Sequence, residues 1–230
     1  MAIDFLKATN FVKAMTLAMD EGVGEIVAVL KELDLEKKTL VMFISDNGGT
    51  GQNKSPGSLL RGQKGSIWEG GHRVPAIASW PGTIKAGTVT AETAMTIDLM
   101  PTMMALNHAK LPDGHKLDGT DLSALLTQGT PLPKRDLFWA LQDGRAKAVR
   151  RGPWKLVRQG TKQELYNLAE DLKETKDVAG EKPELATALA AALTSWEKDV
   201  ATGATVQPPP PASASSTPKK KRQKKRPQGS

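Results

Sequence analysis

Apolar residues recur at steps of three or four between about Phe11 and Leu33, at Val12, Met15, Met19, Val23, Ile26, Leu30 and Leu33. That spacing predicts an amphipathic helix packed on a sheet, with Met15 and Met19 in the core. Gly22 and Gly24 fall midway and mark the place where the helix would kink or break. An unbroken apolar run, Leu40 to Ile44, predicts a buried strand. A second run, Ala76 to Trp80, bounded by Pro75 and Pro81, predicts a strand of the same sheet. Helix, short link and strand make half of a parallel α/β crossover. Thr83 to Thr90 reads as a turn with a short strand, and Ala94 to Ala105 as a helix with Pro101 in its first turn and Asp98 as a structural cap.

Beyond Arg135 the period shortens. Leu137–Ala140, Ala146–Arg150, Trp154–Val157 and Glu164–Leu168 read as four short strands, with Gly152-Pro153 turning between the second and third. Leu185, Leu189, Leu193 and Trp196 then repeat at helical spacing from Pro183 to Asp199. Trp139, Trp154 and Trp196 are expected in the core of this part. After Val206 the chain reads QPPPPASASSTPKKKRQKKRPQGS, a polyproline stretch followed by a low-complexity basic tail, which is expected to be disordered. The pattern divides the chain into an α/β part at 1–134, a small α+β part at 135–200 and a tail at 201–230.

Composition narrows the picture. The 230 residues are 39% hydrophobic, enough for a packed core, and no run of about 18 apolar residues appears that would span a membrane. The first residues, MAIDFLKATNFVKAM, lack the basic start and apolar centre of a signal peptide, so the chain as it stands reads as cytoplasmic. There is no cysteine, so disulfides and thiolate chemistry are excluded. The net charge of +7 is local: seven of the 32 basic residues lie in 219–226, and without them 25 basic residues face 25 acidic ones. Such a run can bind nucleic acid, anionic lipid or acidic glycan by charge, or act as a nuclear-localisation string or a solubilising tail. It carries no aromatic residue on which bases would stack.

The candidate chemistry lies between Thr39 and Gly82. The first strand ends at Ser45-Asp46-Asn47-Gly48-Gly49, and in open α/β sheets ligands bind at that edge. Asp46 and Asn47 offer a carboxylate and an amide oxygen, hard donors suited to Ca²⁺ or Mg²⁺. Lys64, in Leu60-Arg61-Gly62-Gln63-Lys64-Gly65-Ser66, is a compact positive charge among small residues and a good partner for a tetrahedral oxyanion. Taken alone, each of these is also what an ordinary turn or a solvated lysine would look like. His72, in Glu69-Gly70-Gly71-His72-Arg73-Val74-Pro75, ranks behind Lys64. His108 and His115, with Asp113 and Asp118 nearby, make a poor metal set because no helix or strand spacing fixes them.

The order of motifs says more than any one of them. SDNGG, then LRGQKGSIWEGGHRVPAI, then WPG, with Ile97-Asp98-Leu99-Met100-Pro101-Thr102 and Leu117-Asp118-Gly119-Thr120-Asp121-Leu122 after them, resembles the C-terminal half of the sulfatase family, in the alkaline-phosphatase-like superfamily. The resemblance covers about Phe11 to Asp199. It implies a partial α/β sheet flanked by helices, followed by a small antiparallel sheet with one packed helix. It also implies hydrolysis of sulfate esters with a divalent cation, usually Ca²⁺. Asp46 and Asn47 would then be two of the metal ligands and Lys64 the residue binding a sulfate oxygen. Sulfatases are often periplasmic, secreted or lysosomal.

The resemblance also marks what is absent. Sulfatases carry two further aspartates and a Cys-or-Ser-x-Pro-or-Ala-x-Arg motif whose first residue becomes formylglycine. Here Ser79-Trp80-Pro81-Gly82-Thr83 has threonine where arginine is needed. The expectation is a chain that corresponds to the end of such an enzyme, with an open sheet edge, exposed apolar helix faces and no activity alone. The missing N-terminal half would then be a partner, alongside a sulfated small molecule or glycan. Two other readings stand beside it: a non-catalytic module binding Ca²⁺ and anionic glycan, and a phosphoesterase relative of the same superfamily.

Overall fold

The structure of the chain, a computed structural model, describes residues 8–50, 60–141 and 144–202. The tail expected to be disordered and most of the Gly49–Ser58 loop lie outside the described residues. Helix α1 (Ala8–Glu32) runs unbroken through Gly22 and Gly24, so the expected kink is absent. Its good helix formers outweigh two glycines that cost about 1 kcal/mol each. Its apolar stripe does not find the sheet. Met15 is 58% exposed and Met19 48%, which corrects the expectation that they are core. The reason is that α1 packs chiefly on the 3-10 turn that follows it, Glu36–Lys38, and no other described element lies closely along its face.

Strand β1 (Val41–Ile44) pairs with β2 (Ala76–Ser79), as the two apolar runs predict, but antiparallel, with Ile44 opposite Ala76 and Val41 opposite Ser79. A parallel crossover does not form because β2 starts at the end of the sheet where β1 stops. The four-residue helix α2 (Glu69–His72) lies in the connection at that end. Trp80 Nε1 donates to the carbonyl of Lys37 at 2.9 Å and ties β2 back to the first turn. The short strand expected within Thr83–Thr90 is absent. Left-handed glycines at 82 and 87 and a hydrogen bond from Thr88 Oγ1 to the Lys85 carbonyl make turns there instead.

Helix α3 (Leu99–Leu106) follows a 3-10 turn, Thr96–Asp98, and α4 (Ser123–Gln128) stops at Gly129. Asp98 is structural, though it does not cap α3. Its buried carboxylate accepts the amides of Met95 at 2.7 Å and Thr120 at 2.8 Å and both outer nitrogens of Arg135, at 2.5 and 2.6 Å.

Strands β3 (Asp136–Ala140), β4 (Ala146–Arg151), β5 (Trp154–Gln159) and β6 (Lys162–Asn167) form an antiparallel meander. Alternation gives the sheet two apolar faces. Val149, Leu156 and Leu165 meet Leu189 and Leu193 of helix α5 (Pro183–Ala201), and Phe138 stacks on Trp196 with ring centres 5.1 Å apart. Ala148, Val157, Tyr166 and Leu168 point the other way and are covered by Ile67 and Trp68. Thus the segment that carries Lys64 is seated on the second face of the C-terminal sheet. Trp139, Trp154 and Trp196 are half-buried against these two clusters.

Candidate functional site

Strand β1 delivers Asp46 and Asn47 to its tip, where Ser45 Oγ donates to the Asn47 carbonyl at 3.0 Å and closes the turn. Asn47 Nδ2 donates to Asp46 Oδ2, so the carboxylate and amide are in direct contact. The first glycine that follows is placed by close backbone approach. The Gly48 amide donates to the Gly71 carbonyl at 2.9 Å, and a Cβ at Gly48 would fall on the carbonyl oxygen of Gly70. One residue on, the Gly49 carbonyl accepts the Lys64 amide at 3.0 Å. The tip is therefore held on one side by α2 and on the other by the backbone of Lys64.

The loop bearing Lys64 is shaped by Gly62 and Gly65, both at φ +80°. Ser66 Oγ accepts the Gln63 amide at 3.0 Å, and the Gly70 amide donates to the Arg61 carbonyl at 2.7 Å. The Lys64 side chain is exposed. The structure brings the backbones of 46–49 and 64 together at one end of β1. His72 is engaged elsewhere: its ring stacks on Trp139 at 4.7 Å, and Nε2 lies 3.2 Å from Glu69 Oε1. His108 and His115 are both exposed; the His115 ring lies 3.3 Å from the Asp113 carbonyl, and its amide donates to the Pro112 carbonyl at 3.2 Å.

Beneath the loop is a buried charge network. Glu69 Oε1 is 2.8 Å from Lys155 Nζ, which also lies 2.8 Å from Glu174 Oε1 as an ion pair without hydrogen-bond alignment. Glu174 Oε2 accepts the Glu69 amide at 2.7 Å. Arg73 and Arg150 approach Glu69 Oε2 at 3.4 and 3.8 Å. Burial alone would raise the Glu69 carboxyl, but the hydrogen bond from His72 and the Lys155 ammonium hold it well below the usual carboxylate range. Burial lowers the Arg150 guanidinium from its usual value, opposed by Glu69. Above this network the Arg61 guanidinium sits 3.5 Å from the Trp68 ring centre and donates to the Tyr166 hydroxyl at 3.2 Å and the Glu174 carbonyl at 2.8 Å. Burial pushes the Tyr166 phenol up to about 12.

Sequence reasoning passes over Glu69, Lys155, Glu174, Arg61 and Tyr166. A signal was available in Trp154-Lys155-Leu156-Val157, where a lysine interrupts an apolar strand and must meet an acid if it points inward.

The donor chemistry of Asp46 and Asn47 fits part of a Ca²⁺ shell, which takes six to eight oxygens. Among the described residues no group of three acidic, histidine or cysteine side chains could hold a metal ion, so further oxygens would have to join these two. No described helix is long and apolar enough to cross a membrane.

Comparison with known proteins identifies the family. A family model described as Sulfatase matches residues 11–109, and one described as N-sulphoglucosamine sulphohydrolase, C-terminal, matches residues 63–199. Human arylsulfatase A is 44% identical over 126 residues, which are 54% of this chain and 24% of that protein. Mouse steryl-sulfatase is 36% identical over 140 residues, 57% of this chain and 22% of the relative. Among solved structures, that of Ps i-CgsB in complex with k-i-k-neocarrahexaose superposes with a TM-score of 0.77 at 30% identity, covering 84% of this chain and 44% of that one. The chain thus spans about a quarter of the length of the curated relatives and under half of the solved one.

Proposed function

We propose, since this chain belongs to the sulfatase family, that residues 39–50 and 60–82 form one wall of a site that hydrolyses sulfate esters, with Lys64 binding a sulfate oxygen. Asp46 and Asn47 would hold a divalent cation, Ca²⁺ or Mg²⁺, whose charge draws electron density from the sulfate. One observation carries the reading. The Lys64 amide is bonded to Gly49, two residues after Asn47, so an ammonium and a pair of oxygen donors issue from adjoining backbones. Lys64 supplies a positive charge where negative charge gathers on the sulfate oxygens, and such electrostatic stabilisation usually does most to lower the barrier.

The nucleophile and the remaining metal ligands come from polypeptide equivalent to the rest of a sulfatase α/β domain, which also covers the exposed apolar stripe of α1. Alone, the 230-residue chain gives no turnover. The substrate is a sulfated small molecule or glycan, and the basic run 219–226 adds affinity for polyanions. Two experiments test this. Sodium sulfate is titrated into the labelled chain with and without Ca²⁺, in wild type and in Lys64→Ala, Asp46→Ala and Asn47→Ala. Sulfate shifts that survive Lys64→Ala, or Ca²⁺ effects that survive both tip variants, would sink the assignment. Unchanged heparin affinity after deleting residues 207–230 removes the tail from the account.

A further inference from the structure

We propose that Arg61 is a positioning residue, a strap that fixes the Lys64 loop to the C-terminal sheet through Glu174 and Tyr166. The inference rests on the reading of Lys64 as the anion-binding residue. Lys64 is exposed and flanked by two left-handed glycines, so its own loop gives it little rigidity. Rigidity has to come from the ends. Arg61, three residues before Lys64, lays its guanidinium over Trp68 and directs Nη1 to the Tyr166 hydroxyl and the Glu174 carbonyl. Its own carbonyl accepts the Gly70 amide. Glu174 holds the other end as well, because its Oε2 accepts the Glu69 amide at 2.7 Å. One residue of the C-terminal part therefore grips the loop at both 61 and 69. Glu174 itself stands at φ +52° and is fully buried, a costly placement for a non-glycine residue that neighbouring contacts must enforce. The Arg61 guanidinium is engaged by an aromatic ring, a phenol and a carbonyl, which favours a strap over a second anion-binding cation.

The test uses the full 230-residue chain, with sodium sulfate as the probe. Amide hydrogen exchange at Lys64 and Gly48 is compared with that at Val149 and Leu156 in the sheet, for wild type, Arg61→Ala, Arg61→Lys and Lys64→Ala. Arg61→Ala should speed exchange at Lys64 by about tenfold or more while Val149 and Leu156 keep their protection. It should also weaken sulfate binding several-fold, and Arg61→Lys, which keeps the charge but loses the planar fork, should recover part of both. Unchanged exchange at Lys64 in Arg61→Ala overturns the strap. So does faster exchange with unaltered sulfate affinity, provided Lys64→Ala does weaken sulfate. If Arg61→Ala also exposes Val149 and Leu156, Tyr166→Phe decides: it removes only the hydroxyl, and Lys64 exchange no faster than wild type overturns the proposal. Should Lys64→Ala leave sulfate shifts untouched, the anion reading of Lys64 fails, while the exchange data still report whether Arg61 holds the loop.

Discussion

Glu69 Oε1 and Lys155 Nζ lie 2.8 Å apart with both side chains withdrawn from solvent, one on α2 and the other near the start of β5. The pair joins the α/β part of the chain to the C-terminal sheet, and it is what seats the Lys64 loop on that sheet. Neither charge could be left there alone, because a buried ion without a partner costs several kcal/mol.

Removing the cation should therefore be severe. Lys155→Met leaves Glu69 and Glu174 facing each other without their shared ammonium, and the expected loss is about 3–5 kcal/mol. Adding Glu174→Gln and Glu69→Gln to Lys155→Met removes the stranded charges and should restore part of that loss. Urea midpoints at constant m-value measure both steps. A triple variant no more stable than Lys155→Met alone would show that the charges are not what the site is built to balance.

Acid should unfold the chain early, and Glu69 is one of the carboxyls through which it acts. Burial works to raise Glu69 and Asp98, yet both are held low, Glu69 by His72 and Lys155 and Asp98 by Arg135 and two backbone amides. Glu197 is lowered first by its hydrogen bonds from Arg158 and Lys147. A carboxyl whose folded pKa lies below its unfolded one contributes stability above the unfolded value and loses it as pH falls further. With unfolded values near about 4, the unfolding free energy should be flat above pH ~5 and drop below pH ~4. Glu69→Gln should make that drop shallower. An equally steep drop in Glu69→Gln would remove Glu69 from the acid response.

The alkaline side has its own reporter. Tyr166 is the one tyrosine of the chain, and burial raises its phenol to about 12, against the hydrogen bond from Arg61. A raised pKa means stability that is complete below the unfolded value, near about 10, and is lost as pH climbs toward the folded one. Absorbance near 295 nm should show no phenolate at pH ~10.5 in the folded chain, and half ionisation at about 10 in urea. Half ionisation near 10 without denaturant would place Tyr166 in water and contradict its seat under Arg61.

Much of this was legible in the sequence, and the rest was hidden for a physical reason. The four strands after Arg135 and helix α5 followed from period and turn residues, because each buries a whole face. Asp46, Asn47 and Lys64 stood out because glycines surround them. The direction of β2 was not legible, since hydrophobic period does not encode which way a strand runs. Met15 and Met19 misled because amphipathic spacing says which face wants a partner, not whether one lies there. Glu69, Lys155 and Glu174 were invisible as a set because they are 86 and 105 residues apart in pairs that only tertiary packing joins.

Alanine at two glycines should separate packing from propensity. Gly22 lies inside α1 with no atom near the place a Cβ would occupy, so Gly22→Ala meets no clash and gains helix propensity. The expected effect is about 0.5–1 kcal/mol of added helix stability. At Gly48 the same methyl would land on the Gly70 carbonyl and sit near Gly71, both backbone atoms that cannot swing aside. The tip must retreat from α2, breaking the Gly48 amide bond to Gly71 and carrying Asp46 and Asn47 away from Lys64. Overpacking of this kind costs about 1–3 kcal/mol. Because the two substitutions are chemically identical, their opposite signs in thermal melts and exchange rates would isolate the close backbone approach as the cause. A Gly48→Ala chain with wild-type stability and an undisturbed Lys64 amide would mean that the tip and the loop are not held against each other.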